Sequence, residues 1–426
     1  MSNSHTTRRG RLYFSLLWLA GCLACQQSSA QKGDDTTASQ PVADSSKPQS
    51  VTTLPLDLPE WSDTDSTPLL AGRPVTIVPQ IQNQISRFIR NGGSPIAAVV
   101  IINVKTGEIL AMTQGEDPGK WGAETHSALH IGFPTASLFK TVVAATAFEI
   151  AELDTEATLS MFGGCSHVHP RGIWPPKESR NPRHGLSLRR AYGNSCNGFF
   201  AKLAVNRIGL GPILNMAKRL GWNNQSLPAD FLVPPSPLRE PKATSSSIHT
   251  IGKFAAGFGS VSISAVHAAW QESVIANNGI AMPLRFFKDT PANKPNQGTR
   301  VLEESTAINL KRIMDSTVMD GTAKHAFSRG RLRLLRTEVG GKTGTLTGNH
   351  PQGLTTWFAG IYPLEDPEIA VAAVVMLENL WRFKATNLAA ESIMAYYDYR
   401  NGPDSPMKTA RKSASHESSA KSGKTH

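Results

Sequence analysis

Strand-like sequence occurs only toward the two ends of the foldable part of this chain, with a long helical block between. Near the start, "IAAVVIINVKTGEILAMT" (96–113) holds two β-rich runs flanking Lys105-Thr106-Gly107, which reads as a hairpin turn. Near the end, "RTEVGGKTGTLTG", "LTTWFAGIYP" and "PEIAVAAVVMLE" read as three more strands. Residues 138 to about 285 are mostly helical, with Pro-rich breaks at 175–176 and 234–237. Amphipathic helices are expected at 75–92, where Ile81, Ile85, Phe88 and Ile89 share a face ahead of Gly92-Gly93, and at 304–318. A last helix closes the domain at 385–399. The expected fold is α/β. A mixed, mainly antiparallel sheet is built from the N- and C-terminal parts, flanked by helices, with an inserted all-helical lobe. A groove between lobe and sheet is a natural place for a site.

At 426 residues the chain can bury a large core, but its ends do not contribute. Residues 23–72 are rich in Ser, Thr, Asp, Pro and Gln, and residues 402–426 lack apolar periodicity. Neither buries enough surface to offset ordering entropy, so the first is expected to be a disordered tether and the second a disordered basic tail. That leaves 73–401 as the folded domain. No repeat occurs at solenoid or propeller spacing.

Residues 1–22 have the pattern of an export signal. Arg8, Arg9 and Arg11 precede the apolar run "LYFSLLWLAG", which is too short to span a bilayer. The run ends in Leu19-Ala20-Gly21-Cys22, which resembles the lipobox of bacterial lipoproteins, whose Cys thiol is acylated. The expectation is a lipid anchor at Cys22 on a periplasm-facing protein. By analogy, Leu23 in place of Asp favours the outer membrane over the inner.

A formal charge of +11 raises nucleic acid as a partner. The Lys and Arg are scattered, however, and neither zinc-finger spacing nor an aromatic RNA-binding signature is present. A basic surface facing acidic polymers or an anionic membrane is the expectation, with no nucleic acid.

Of the four cysteines, Cys25 has no evident task beside Cys22. Cys165 and Cys196 lie in the folded part. They either pair, closing a loop worth ~3–4 kcal/mol in the chain-entropy model, or stay as two buried thiols. Cys165 with His167 and His169 matches no standard zinc spacing, so no metal is expected.

Three short motifs carry the chemistry. In "GFPTASLFKTVVAATAFEIAEL", Ser137 and Lys140 stand three apart as an apolar helix begins, so they share a face. Serine is a poor nucleophile without a base, and a lysine whose pKa is lowered by burial or a neighbouring cation can supply one. The same spacing at Ser29, Ser405 and Ser418 lies in polar stretches and reads as chance. In "YGNSCNGFF", Ser195 and Asn197 form S-x-N before another helix. The hydroxyl can pass protons and the amide can hold both Lys140 and a substrate carbonyl. Helix capping is the alternative reading. A competing match at Ser179-Arg180-Asn181 sits in a Pro-rich loop. Lys342-Thr343-Gly344-Thr345 reads as strand. There Lys342 and the Thr hydroxyls could hold a carboxylate, and Gly344 lets a ligand backbone approach. The N–H groups of Ser137 and Thr345 could form an oxyanion hole.

Taken in this order, the motifs resemble those of penicillin-binding protein transpeptidase domains, within the superfamily shared with serine β-lactamases. "NVKTGEILAM", "AAGFGSVSISAVHAA", "IANNGI" and "WFAGIYP" are similar to the same family, and the resemblance covers about residues 75–400. It implies a DD-transpeptidase/β-lactamase-like fold and a serine acyl-transferase. Ser137 would attack the penultimate D-alanine carbonyl of a peptidoglycan stem peptide. Lys140 would be the base, Ser195 and Asn197 would relay protons and orient substrate, and Lys342, Thr343, Gly344 and Thr345 would hold the terminal carboxylate. No cofactor is implied. Peptidoglycan stem peptides, β-lactams and other cell-wall synthesis proteins are the implied partners. Only the signal-like and tether-like residues precede the first helix, so the expectation is a transpeptidase domain standing alone on a lipid anchor. Carboxypeptidase, endopeptidase and β-lactamase activity are the alternatives, although the Glu-x-x-Leu-Asn motif of class A β-lactamases is missing. The non-enzymatic alternative is a lipoprotein that senses β-lactams or binds peptidoglycan.

Overall fold

The computed structural model describes residues 52–94, 96–115, 122, 124–161, 164–165, 185–224, 226–241, 248–294, 297–349, 352–377 and 383–402. Cys22 and Cys25, the loop with His167 and His169, and the competing S-x-x-K and S-x-N matches all lie outside them.

Five strands make the central sheet: β1 (Ala97–Asn103), β2 (Ile109–Gln114), β3 (Gly340–Asn349), β4 (Gln352–Tyr362) and β5 (Ile369–Leu377). Their order is β2-β1-β5-β4-β3, so the C-terminal strand β5 pairs with the N-terminal strand β1, and the two ends of the domain form one sheet. All four ladders are antiparallel. The mixed pairing expected from sequence is therefore not found within this sheet. The β1–β2 turn is held by the Asn103 side chain, which accepts from the Lys105 and Thr106 N–H groups at 3.0 and 3.1 Å. Gly107 follows at φ 71, where a Cβ would meet the Pro283 carbonyl. Lys-Thr-Gly at this position is a turn and nothing more.

Helices follow in chain order as α1 (Pro79–Gly92), α2 (Phe139–Glu149), α3 (Leu188–Gly193), α4 (Asn197–Leu203), α5 (Leu210–Arg219), α6 (Ile248–Lys253), α7 (Ala265–Ala276), α8 (Glu304–Met319) and α9 (Ala385–Asn401). The sheet is covered on both faces, which is why β5 reads as an unbroken apolar run with all nine positions buried. Odd positions of β1 and β5 (Val99, Ile101, Val371, Val375) pack with Ile81, Ile85 and Ile89 of α1 and Leu388 and Ile393 of α9. Even positions (Val100, Ile102, Val374) join Val266 and Ile275 of α7 and the helical lobe. Burying each such side chain contributes roughly 1.5–3 kcal/mol.

Two expectations need correction. The first helix begins at Pro79 and not at residue 75. A residue before proline is disfavoured in the helical region, and Val75 and Thr76 instead donate backbone hydrogen bonds to Pro68 and Phe286. The tether expected through residue 72 also gives way from Thr52 onward. Leu54 and Trp61 are buried, the Trp61 indole N–H donates to Leu69 O at 3.0 Å, and Thr52 bridges Phe231. Composition averages over such a segment, whereas two anchors in ready-made pockets suffice to order it. The packed unit thus extends from Thr52 to Gly402 among the described residues.

Candidate active site

Residues 133–138 arrive at the mouth of α2 under tight constraint. Thr135 N–H donates to Val261 O at 2.9 Å, and the Trp357 indole donates to Pro134 O at 2.9 Å. Ala136 is left at φ 50, an uncommon conformation for a residue with a side chain, and Ser137 follows in a short 3₁₀ turn that leads into α2. Two glycines make this approach feasible. A Cβ on Gly257 would sit 2.0 Å from the Ala136 carbonyl, and one on Gly344 would crowd Ala136 and Thr135. Every α2 residue from Phe139 to Phe148 is buried, so Lys140 on its first turn is buried with them.

Ser195 sits in the turn between α3 and α4 with φ 53, fixed by its N–H to Tyr192 O at 3.0 Å and by Cys196 N–H to Ala191 O at 2.8 Å. Cys196, inside the S-x-N motif itself, is joined to Cys165 across 31 residues of sequence. A loop of that length contributes ~3–4 kcal/mol in the chain-entropy model. The bond also leaves the Cys165 sulfur unavailable to a metal. Lys342 lies on β3, the edge strand, in register with Ala359, while Gly344 opposes Trp357.

The three segments meet around two buried amines. Lys140 Nζ lies 2.6 Å from Ser137 Oγ, 2.6 Å from Asn197 Oδ1, 3.2 Å from Ser195 O and 3.3 Å from Ser195 Oγ. Lys342 Nζ donates to Ser195 Oγ at 3.0 Å and to Thr343 O at 2.8 Å. Ser195 Oγ therefore bridges both lysines. Burial first, and the Lys342 charge second, hold the Lys140 amine well below the usual lysine range. Lys342 is pushed down to about 7 by burial, against the pull of Glu272. That glutamate, on α7, is fully buried, and burial pushes its carboxyl up to about 8 although Gln271 and Lys342 pull it down.

A neutral lysine has two N–H bonds and one lone pair. At Lys140, Asn197 Oδ1 and the Ser195 oxygens can accept the two N–H groups. The lone pair is then left for the Ser137 hydroxyl, the geometry a general base requires. Ser137, Ser195, Asn197, Thr343, Gly344 and Thr345 line a cavity of about 380 Å³, with the two amines buried behind its wall. Sequence reasoning missed six other lining residues: Phe258, Thr322, Thr356, Trp357, Lys384 and Thr386. Thr322 Oγ1 is 2.5 Å from Thr343 Oγ1, and Thr322 N–H donates to Gly193 O at 3.1 Å, so it ties β3 to the Ser195 turn. No motif flagged it, because its role depends on packing from two distant segments. Phe258 had a signal: it stands inside "AAGFGSVS" and is a large aromatic left 44% exposed at the cavity.

The family model described as the penicillin binding protein transpeptidase domain matches residues 97–395. The chain is 24% identical over 352 residues to the peptidoglycan D,D-transpeptidase PbpA of Mycolicibacterium smegmatis, covering 70% of this chain and 66% of that protein. It is 28% identical over 289 residues to the probable peptidoglycan D,D-transpeptidase FtsI of Caulobacter vibrioides, covering 64% and 47%. Most of these curated relatives are thus spanned over about half their length or less, as with the 48% of penicillin-binding protein PbpB of M. smegmatis. Among solved structures it superposes on the D,D-transpeptidase domain of a peptidoglycan glycosyltransferase from Eggerthella lenta with a TM-score of 0.61 at 22% identity, over 76% of this chain and 82% of that one. The penicillin G acyl-enzyme complex of penicillin-binding protein A from Mycobacterium tuberculosis gives 0.59 at 21% identity, over 76% and 80%.

Proposed function

The chain belongs to the penicillin-binding protein transpeptidase domain family, and from that premise we propose that it is a serine D,D-transpeptidase crosslinking peptidoglycan stem peptides through an acyl-enzyme on Ser137. The observation that carries this reading is the Lys140 amine, buried and 2.6 Å from Ser137 Oγ, with Asn197 and Ser195 placed to take its N–H groups.

Ser137 Oγ attacks the carbonyl of the penultimate D-alanine as Lys140 takes the hydroxyl proton. The oxyanion is met by the N–H groups of Ser137 and Thr345. Lys342, Thr343 and Thr345 hold the terminal carboxylate, whose charge favours the ammonium form of Lys342. On collapse the C–N bond breaks and the departing D-alanine amine receives a proton from Lys140 by way of Ser195 Oγ. An amine of a second stem peptide then attacks the ester, its C–N bond forms, and Ser137 Oγ leaves with a proton. Penicillins acylate the same serine by opening the lactam ring. An envelope location with a lipid anchor at Cys22 belongs to the same proposal, supported by the basic start, the apolar run and the Leu19-Ala20-Gly21-Cys22 sequence.

The test is incubation with a synthetic stem pentapeptide ending in D-Ala-D-Ala and a stem peptide bearing a free side-chain amine, with products identified by mass. A product joining the two with loss of one D-alanine is expected. Trimmed peptide alone would make the enzyme a carboxypeptidase. Unchanged peptides together with no penicillin adduct would overturn acyl transfer altogether.

A further inference from the structure

Beyond the nucleophile's cavity lies a second, larger trough of about 790 Å³, lined by His325, Arg329, Arg331, Lys384, Thr386 and Glu391 among others. Thr322, Lys384 and Thr386 line both spaces, so the two adjoin at these residues. The trough opens from a particular end of the cleft. Thr322 touches Thr343, next to Lys342, and these residues hold the carboxylate of the departing D-alanine in the reading above. An amine that attacks the acyl-enzyme occupies the place that the leaving amine vacated, by microscopic reversibility. The rest of the incoming molecule must then extend out past Thr322, which is where the trough begins.

Its charge points to one class of ligand. The segment "KHAFSRGRLRLLR" (324–336), between α8 and β3, carries Lys324, Arg329, Arg331, Arg333 and Arg336 and no Asp or Glu. Arg331 is committed to Asp398, with one of its two hydrogen bonds at 3.1 Å. Burial raises the pKa of Glu391, the acidic side chain lining the trough, although Arg331 pulls it down. Arg329 and His325 are exposed on the trough wall.

We propose that this trough is the acceptor subsite: it receives the incoming amine-bearing peptide and holds a carboxylate of that peptide against Arg329, with His325 beside it. The inference rests on the acyl-transfer reading. In the step it serves, the acceptor nitrogen bonds to the acyl carbon, the bond from that carbon to Ser137 Oγ breaks, and the amine's proton returns to Ser137 through Lys140.

The test uses a depsipeptide donor ending in D-Ala-D-lactate with glycine oligomers of one to four residues as acceptors, which reach up to about 14 Å. Each acceptor is supplied as the free acid and as the carboxamide, and aminolysis is scored against hydrolysis by product mass. For at least one length, the wild type is expected to favour the free acid by about 3–5-fold, the range of an exposed ion pair, with the preference falling as salt is added. Arg329→Glu should abolish or invert it, with the rate of penicillin acylation unchanged. A wild type indifferent to the carboxylate at every length, or an Arg329→Glu enzyme that keeps the preference, overturns the subsite. A wild type that takes no penicillin label overturns the acyl-transfer reading instead, and the subsite with it, so the two failures are told apart by the label.

Discussion

Lys140→Met is expected to slow acylation of Ser137 by roughly 10²–10⁴-fold, the usual contribution of a positioned general base. The substitution is informative because methionine fills nearly the same volume in a site that is already fully buried. It removes an amine whose desolvation opposed folding and leaves Ser137 Oγ and Asn197 Oδ1 short of one partner each, but both are half-buried on the cavity wall, where water can take that place. Stability should therefore change little while the rate collapses. Stopped-flow acylation with a fluorescent penicillin, alongside a thermal melt, separates the two effects. A variant that acylates at the wild-type rate would show that the base lies elsewhere.

Ser137→Ala is expected to remove the covalent adduct entirely. Lys342, Thr343 and Thr345 stay in place, so the variant should still bind a β-lactam reversibly through its carboxylate while intact-protein mass shows no addition. Alanine costs nothing at this point of the backbone, because the left-handed residue is Ala136 and not Ser137. If the variant still gains mass, another nucleophile is present. Ser195 would be the first to examine, since its Oγ lies 3.3 Å from the Lys140 amine and 3.0 Å from that of Lys342.

The architecture was legible in the sequence where a local pattern coincided with burial. Two strands early and three late, separated by helices, require one sheet from both ends, and β1 pairs with β5 accordingly. The apolar helix after Ser137 marked that serine out from the other S-x-x-K matches, and the structure links Ser137, Asn197 and Ser195 through Lys140, and Ser195 on to Lys342, by hydrogen bonds. What local pattern could not reveal depends on contacts between distant segments. The order of residues 52–72 comes from Leu54 and Trp61 reaching pockets made elsewhere. The backbone of Ala136 is held by Gly257, more than a hundred residues later. Glu272 is the one acidic residue of α7, and only the fold brings it within range of Lys342.

Everything in this account turns on an uncharged Lys140, and the pH dependence of penicillin acylation tests that most directly. Because burial and the neighbouring Lys342 cation hold its pKa well below the ordinary value, the amine should be free to act well below the pH at which an ordinary lysine gives up its proton. The rate is predicted to fall on the acid side as Lys140 takes up a proton and to level off well below the pH at which an ordinary lysine titrates. It should decline again as the Lys342 ammonium that holds the carboxylate is lost, a loss that sets in near 7 in the free enzyme. A rate that instead keeps rising about tenfold per pH unit toward ~10.4, where an ordinary lysine titrates, would contradict it.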